Sequence, residues 1–194
     1  MSKKNLDLDV PGGERKVLLH TCCAPCSSAI VEYLMKNGVT PVIYYCNPNI
    51  YPLEEYIKRK EECTRYALSL GLEIVDADYD HERWLSGVAG LENEPERGSR
   101  CSRCFYMRLR ESALYAASHG LHVVTTTLAS SRWKSLDQIN AAGEAACADI
   151  DGVTFWDRNW RRGGLSERRA QIIREMQFYN QQYCGCEFSM RPEN

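Results

Sequence analysis

Three short groups contain seven of the ten cysteines in this 194-residue chain. They are Cys22, Cys23 and Cys26, then Cys101 and Cys104, and finally Cys184 and Cys186. Thiolates a few positions apart can turn towards one centre, and soft sulfur donors favour zinc, copper(I) or iron–sulfur clusters over hard cations. Because one tetrahedral ion takes only four ligands, the surplus of thiols indicates a polynuclear cluster, or a cluster beside a second metal.

The cellular compartment decides how these cysteines are interpreted. The first 16 residues are polar and lack the apolar core of a secretory signal, and no stretch has the apolar length of a membrane span, so we expect a cytoplasmic protein without membrane contact. Thiols stay reduced in the cytoplasm, where grouped cysteines more often bind metal or act in catalysis than form disulfides. Five disulfides in a secreted domain are the alternative. Cys46, Cys63 and Cys147 lie singly in apolar or helical patterns and are expected to pack as small hydrophobic residues.

Alternating strands and helices must position the cysteine groups. Strands are predicted at 17–20, 41–46, 72–75, 121–126 and 153–156, and helices at 27–35, 52–70, 102–118, 135–148 and 165–183. Between the third strand and the third of these helices, an irregular stretch carries a short helix at Trp84 and Leu85. The pattern predicts one α/β domain over 16–190, with a mostly parallel sheet flanked by helices, after a flexible segment 1–15.

Ligands of such sheets bind at the carboxyl ends of the strands, and the first cysteine group follows the first strand directly. A nucleotide-binding α/β protein would carry a glycine-rich phosphate loop at this junction, but the run CCAPCSS has no glycine. It offers three sulfurs at the positive end of a helix instead. That position lowers the pKa of a thiol and favours the thiolate, the form that binds metal or attacks as a nucleophile.

The other two groups are ambiguous when each is taken alone. Cys101 and Cys104 have the spacing of a dithiol redox motif or of half a zinc site, and Cys184 and Cys186 flank a glycine that permits the bend they need to converge. A closed zinc site would leave three thiols unused, whereas an iron–sulfur cluster beside an open metal site would use all seven. His20 is more typical of a polar residue at a strand end than of a further ligand.

Substrate-binding candidates follow the second strand, where Asn47, Asn49 and Tyr51 would face the same pocket as the cysteines. A proline-fixed turn with a helix cap explains the same residues without a ligand. Lys134 lies in a loop rich in hydroxyl groups and cations after the fourth strand, where an anionic or planar ligand would fit.

Basic residues concentrate between positions 157 and 174, where the sequence has six arginines and two acidic residues. Trp156 and Trp160 lie beside them in the sequence. Arg161 and Arg162 belong to this stretch. Arginine interleaved with aromatic residues suits phosphates and unstacked bases, as in recognition of single-stranded or loop RNA. The alternative is that these arginines form a solvent-exposed helix face that binds no ligand.

Several longer motifs occur in one order along the chain: TCCAPC, YYCNPNIYPLEEY, ENEPERGSRCSRCFYMRLR, TTTLASSRWKS and YCGCEFS. Together they resemble the QueH-type epoxyqueuosine reductases, and the resemblance covers roughly residues 17–189. It implies a compact α/β fold of the PP-loop or HUP-like nucleotide-binding type. It also implies an oxidoreductase of queuosine biosynthesis, which reduces the epoxide of epoxyqueuosine at the tRNA wobble position to the cyclopentene without cobalamin.

The resemblance further implies a 4Fe-4S cluster and an additional iron ion, held by the seven grouped cysteines. The position of Cys26 accepts aspartate in some family members, which suits the single iron better than the cluster. The implied partners are a tRNA bearing epoxyqueuosine in its anticodon loop and an electron donor that the sequence does not identify. No proton donor is assigned, and the catalytic residues are unknown.

Two other classes of protein fit the same cysteines. One is a zinc- or cluster-stabilised module that binds tRNA or transfers electrons. The other is a thiol reductase that works through Cys101 and Cys104. Metal content separates the three hypotheses, because only the reductase of the QueH type needs both a cluster and a further iron.

Overall fold

The computed structural model describes residues 8–190, and over these residues five parallel strands form one sheet. The strands are β1 (Lys16–His20), β2 (Thr40–Tyr45), β3 (Ile74–Asp76), β4 (Val123–Thr126) and β5 (Thr154–Phe155). Their order in the sheet is β3-β2-β1-β4-β5, so the predicted α/β fold with a parallel sheet, HUP-like in its arrangement, is confirmed. The order reverses between β1 and β4, and ligands of open parallel sheets bind outside the carboxyl ends at that point.

Six α-helices connect and cover the strands within the described residues. They are α1 (Ala24–Lys36), α2 (Leu53–Ser69), α3 (His81–Gly87), α4 (Ser99–Ser118), α5 (Leu136–Cys147) and α6 (Leu165–Met176), and short 3-10 turns lie at Pro11–Gly13, Thr127–Ser130 and Glu187–Ser189. Of the segment 1–15 that we predicted to be flexible, residues 1–7 lie outside the described residues. No helix among the described residues is both long and apolar enough to cross a membrane.

The central strand β1 shows why the sheet is covered on both faces. Val17, Leu18 and Leu19 are fully buried, and successive side chains of a strand point to opposite faces. Leu19 packs with residues of α1 and α2, whereas Leu18 packs with Ala113 of α4. The single cysteines Cys46, Cys63 and Cys147 are buried within this core, as expected of small hydrophobic residues.

Several predicted boundaries differ from the structure by a few residues, and two of these differences concern the second and third cysteine groups. The last helix was predicted over 165–183, but α6 ends at Met176, because Gln177 adopts the left-handed conformation with φ 52°. The segment that carries Cys184 and Cys186 is therefore irregular and is not the end of a helix. Helix α4 begins at Ser99, before the predicted position 102, so Cys101 and Cys104 both lie in its first turns.

One ion pair joins α1 to α6. Arg168 Nη2 donates to Glu32 Oε2 at 2.7 Å, and Arg168 Nε lies 3.0 Å from both carboxylate oxygens. Hydrogen bonding to Arg168 lowers the pKa of Glu32 from 4.5 to about 2. A depressed carboxyl pKa stabilises the fold above the unfolded-state value, and this contribution is lost as pH falls through the folded-state value.

Glu32→Gln is therefore expected to lower the midpoint of urea denaturation at neutral pH. The difference from the wild type should shrink as pH falls from about 4.5 to about 2, because both proteins then lack the charged pair. Glu144→Gln, at an exposed position of α5, is the matched control and should leave the midpoint unchanged. A Glu32→Gln difference that does not change over this pH range would contradict the assignment to the ion pair.

Candidate metal centre

The first cysteine group forms the turn between β1 and α1. Cys23 is the N-cap of α1, and Cys26 lies in its first turn. The sulfur atoms of Cys22, Cys23 and Cys26 all lie within 4.8 Å of one another, and Cys22 Sγ is 3.8 Å from Cys23 Sγ. We call these residues the three-thiol group. Their geometry, at the carboxyl end of the central strand, suggests a metal or cluster site.

Thr127, directly after β4, holds the three-thiol group on its other side. The backbone N–H of Cys22 donates to Thr127 Oγ1 at 3.2 Å, and the Thr127 hydroxyl donates to Cys22 Sγ at 3.4 Å. The turns after β1 and β4 are thus joined at the point where the strand order reverses. This is the position at which ligands of such sheets are expected.

Electrostatics single out one thiol of the three. Hydrogen bonds from Cys23, Cys26 and Thr127 lower the pKa of Cys22 well below its usual value. Hydrogen bonding with Cys22 and Cys26 raises the pKa of Cys23, and the neighbouring Cys22 raises the pKa of Cys26 to about 12. Of the three thiols, Cys22 is therefore the one whose surroundings favour the thiolate. Because metals bind the thiolate, Cys22 offers the ready ligand, and binding would release the remaining protons.

The other four grouped cysteines come from two segments that meet in space. Cys101 and Cys104 lie one turn apart on α4, and Cys104 packs in the same buried cluster as Cys186. Burial and the charge of Cys184 raise the pKa of both helix thiols. No three of these four sulfurs lie within 4.8 Å of one another among the described residues, so this four-thiol group is wider than the first.

Arg59 of α2 fixes the irregular segment that carries the last two cysteines. Its side chain is 2% exposed, forms an ion pair with Glu55 at 2.6 Å and donates to the carbonyl oxygens of Tyr183 and Cys184, each at 3.3 Å. The backbone N–H of Tyr51 donates to the carbonyl oxygen of Gly185 at 2.9 Å. Polar contacts with α2 and the loop before it thus place Cys184 and Cys186.

Lys134 connects the two groups electrostatically. Its Nζ donates to Cys184 Sγ at 2.9 Å. Although burial opposes the charge, the nearby Cys184 and then Cys22 raise the pKa of Lys134 above its usual value. The ammonium group therefore stays protonated at neutral pH and places a positive charge near both cysteine groups. Arg161 lies next to it, because Arg161 Nη2 donates to the Lys134 carbonyl oxygen at 2.8 Å.

The other predicted substrate-binding residues have different surroundings. Asn47 is buried, with its amide donating to the Thr21 carbonyl oxygen at 2.9 Å and accepting from Arg108, so its polar atoms are engaged within the protein. Asn49 is 1% exposed, and its Oδ1 has no hydrogen-bond partner among the described residues. Tyr51 is 42% exposed and stacks on His81, with ring centres 5.4 Å apart.

Arg162 is exposed and lies at an open cavity of about 460 Å³, together with Trp156 and Asp9. None of the seven grouped cysteines lines this cavity. The structure therefore brings Lys134 to the cysteines, with Arg161 bonded to its backbone, and leaves Arg162 on another surface. In the same basic stretch, Arg168 is engaged with Glu32, as described above.

His20 is the last residue of β1, as predicted, and is fully buried. Its Nδ1 lies 2.7 Å from Thr126 Oγ1, and its Nε2 lies 3.1 Å from the Cys46 carbonyl oxygen. Burial lowers the pKa of His20 to about 3, so the ring is neutral. Both ring nitrogens are engaged by the sheet, and neither is directed to the thiols.

Sequence reasoning missed three residues that surround the thiols, namely Thr127, Arg59 and Arg108. Arg108 lies one helical turn after Cys104, a spacing visible in the sequence. The roles of Thr127 and Arg59 depend on contacts between residues more than 100 positions apart, for which the sequence pattern offers no signal.

Comparison with known proteins places these features in a family. The family model described as Epoxyqueuosine reductase QueH matches residues 17–192. The chain is 48% identical to the Epoxyqueuosine reductase QueH of Haemophilus influenzae, over 96% of this chain and 76% of that protein. The protein of the same name from Acinetobacter baylyi is 43% identical over 100% of this chain and 89% of its own length. The chain therefore belongs to the epoxyqueuosine reductase QueH family.

Proposed function

We propose that this protein reduces epoxyqueuosine at the wobble position of tRNA to queuosine, with a 4Fe-4S cluster and an additional iron held by its seven grouped cysteines. As a member of the QueH family it is an oxidoreductase, an epoxyqueuosine reductase, and its function implies a tRNA bearing epoxyqueuosine as substrate. The observation that carries the cofactor proposal is the convergence of Cys22, Cys23 and Cys26 at the carboxyl end of β1.

The chemistry of the donor set supports two neighbouring metal positions. The three-thiol group has the close spacing of ligands to one ion, which favours it as the iron site. The four-thiol group supplies the number of thiolates that a 4Fe-4S cluster takes, and its wider spacing suits ligands that each bind a different iron. When bound, the iron would polarise the epoxide oxygen and the cluster would supply electrons singly, so that two electrons and two protons remove that oxygen as water.

The protein's own residues would prepare this site before any metal binds. The neighbouring thiols and Thr127 lower the pKa of Cys22, and Lys134 Nζ donates to Cys184 Sγ at 2.9 Å. Burial of most of these sulfurs excludes water from the centre. The protonated Lys134 and the adjacent Arg161 place positive charge at the edge of the site, which suits the phosphates of an anticodon loop.

The loop beside Lys134 also offers a surface for an unstacked base. Trp133 is 68% exposed, and the guanidinium of Arg132 lies 4.8 Å from its ring centre. Arg97 Nε donates to the Trp133 carbonyl oxygen at 2.8 Å and so fixes the loop. Aromatic rings next to arginine are typical platforms for single-stranded RNA bases. We propose that the anticodon loop approaches the cysteines over this loop.

Anaerobic reconstitution with iron and sulfide, followed by incubation with epoxyqueuosine-containing tRNA and a strong reductant, tests the proposal. Nucleoside analysis by mass spectrometry should find queuosine, and the protein should be brown and hold more iron than one cluster accounts for. A colourless protein with one zinc per chain and no conversion would indicate the tRNA-binding module. Activity that survives removal of iron by a chelator would indicate the thiol reductase.

A further inference from the structure

Arg108 is a buried cation without a carboxylate partner. Its side chain is 2% exposed, and no ion pair to an acidic residue is found for it within residues 8–190. Placing an unpaired charge in a protein interior costs several kcal/mol, so buried arginines normally face an acid. A negative group of another kind must offset the charge of Arg108.

Neutral groups satisfy part of its hydrogen-bonding capacity. Arg108 Nε donates to the Cys46 carbonyl oxygen at 3.2 Å, and Nη2 donates to Asn47 Oδ1. Both acceptors lie directly after β2, so Arg108 ties α4 to the carboxyl end of that strand. Neither acceptor carries a charge, and these contacts therefore orient the guanidinium without neutralising it.

The groups that can offset the charge are thiolates from both cysteine groups. Cys104 lies one turn before Arg108 on the same face of α4. Burial alone would lower the pKa of Arg108, but the nearby Cys104, Cys22 and Cys184 raise it above its usual value. Asn47, which accepts from Arg108, donates to the carbonyl oxygen of Thr21, the residue before Cys22. Arg108 is thus a buried cation one helical turn from the four-thiol group and linked through Asn47 to the turn of the three-thiol group.

A second buried donor lies beside the same residue. The indole of Trp84 is 1% exposed, its N–H has no hydrogen-bond partner among the described residues, and Trp84 packs in the buried cluster that contains Cys104. Cys104 therefore has a buried cation one helical turn away and an unpartnered N–H donor in its own cluster, and both favour an anionic sulfur ligand.

We infer that Arg108 is the counter-charge of the metal centre and raises the reduction potential of the cluster whose ligands include Cys104. This inference rests on the proposed function. A fixed positive charge stabilises the more negative, reduced state of a cluster, and charge and hydrogen bonds at the ligand sulfurs are among the main determinants of cluster potential. Arg108 acts through the cluster and does not touch the substrate, so it is a positioning residue.

The test compares Arg108→Gln and Arg108→Met, which remove the charge, with Arg108→Lys, which keeps it. Each reconstituted protein is assayed for iron and sulfide content, and its cluster potential is measured by electron paramagnetic resonance during a redox titration. Removal of the charge should disfavour reduction at least tenfold, a shift of 59 mV to lower potential for one electron. Arg108→Lys should lie nearer to the wild type. Arg110→Gln, which alters an arginine paired with Asp149 on the same helix, is the control and should not change the potential.

Each other outcome also decides the question. Unchanged potentials in cluster-loaded Arg108→Gln and Arg108→Met would overturn the inference and leave the proposed function intact. If Arg108→Lys were the one variant of the three to take up the cluster, the result would support the inference, because the centre would then need the positive charge in order to assemble. Unfolding of all three variants, seen by circular dichroism, would assign Arg108 to the fold and overturn the inference. Failure of the wild type to bind a cluster would overturn both proposals.

Discussion

Replacement of Cys22 by alanine is expected to remove iron from the three-thiol group and to abolish epoxyqueuosine reduction. Cys22 is the thiol whose pKa is lowered, whereas the pKa values of its two neighbours are raised. Without it, the site loses the thiol whose surroundings most favour the metal-binding thiolate. Loss of a residue that only orients a metal ligand costs about 10–100-fold in affinity or activity, so loss of the ligand itself should cost more than 100-fold.

The measurements are iron content after anaerobic reconstitution and formation of queuosine in tRNA. Cys147→Ala provides the matched control, since it also removes a buried cysteine, but one at the end of α5 that packs in a core cluster without any of the seven grouped thiols. The control protein should keep its iron and its turnover. Full turnover by an iron-free Cys22→Ala protein would refute the proposed metal centre.

Gly185→Ala is expected to displace the last two cysteines and to prevent assembly of the cluster. Gly185 has φ +127°, a conformation that residues with a side chain rarely adopt. A Cβ atom there would lie 3.0 Å from Ile50 Cγ1, 3.2 Å from Arg59 Nη1 and 3.3 Å from Asn49 Nδ2. The backbone strain alone is on the order of 1–3 kcal/mol. The segment can relieve it by leaving Arg59, which moves Cys184 and Cys186.

Visible absorption and bound sulfide report on this effect, because both depend on the cluster. Gly152→Ala is the control: Gly152 also has a positive φ, +75°, but a Cβ atom there would meet nothing within 4 Å. Gly152→Ala should be slightly less stable than the wild type and should bind the same amount of cluster. If Gly185→Ala loaded as much iron and sulfide as the control, the four-thiol assignment would be wrong.

The sequence predicted the parts of the fold that local patterns determine. Apolar strands alternating with amphipathic helices were enough for a parallel sheet, and the direct succession of β1 and CCAPC was enough to place the three-thiol group at its carboxyl edge. These inferences held because the residues involved are neighbours in the chain. The family resemblance, confirmed by the comparisons, added the substrate, which no spacing could have indicated.

The remaining parts depended on contacts between distant residues. The path of the chain after Met176 follows from the left-handed Gln177 and from Arg59, and neither has a sequence signal. Asn47 illustrates the converse, because its position at a strand end suggested a ligand contact, while its amide is used to hold Arg108. A buried polar side chain must find partners, and those partners are set by the tertiary structure.

The distance along the chain between the joined cysteines has a consequence for folding. Ligands drawn from α4 and from the segment after α6 would connect two distant parts of the polypeptide through one cluster. Such a link closes a long loop and restricts the unfolded ensemble, as a disulfide does in a secreted protein. Metal loading and folding of the final segment would then be one process, and this inorganic cross-link would form under reducing conditions in which disulfides do not persist.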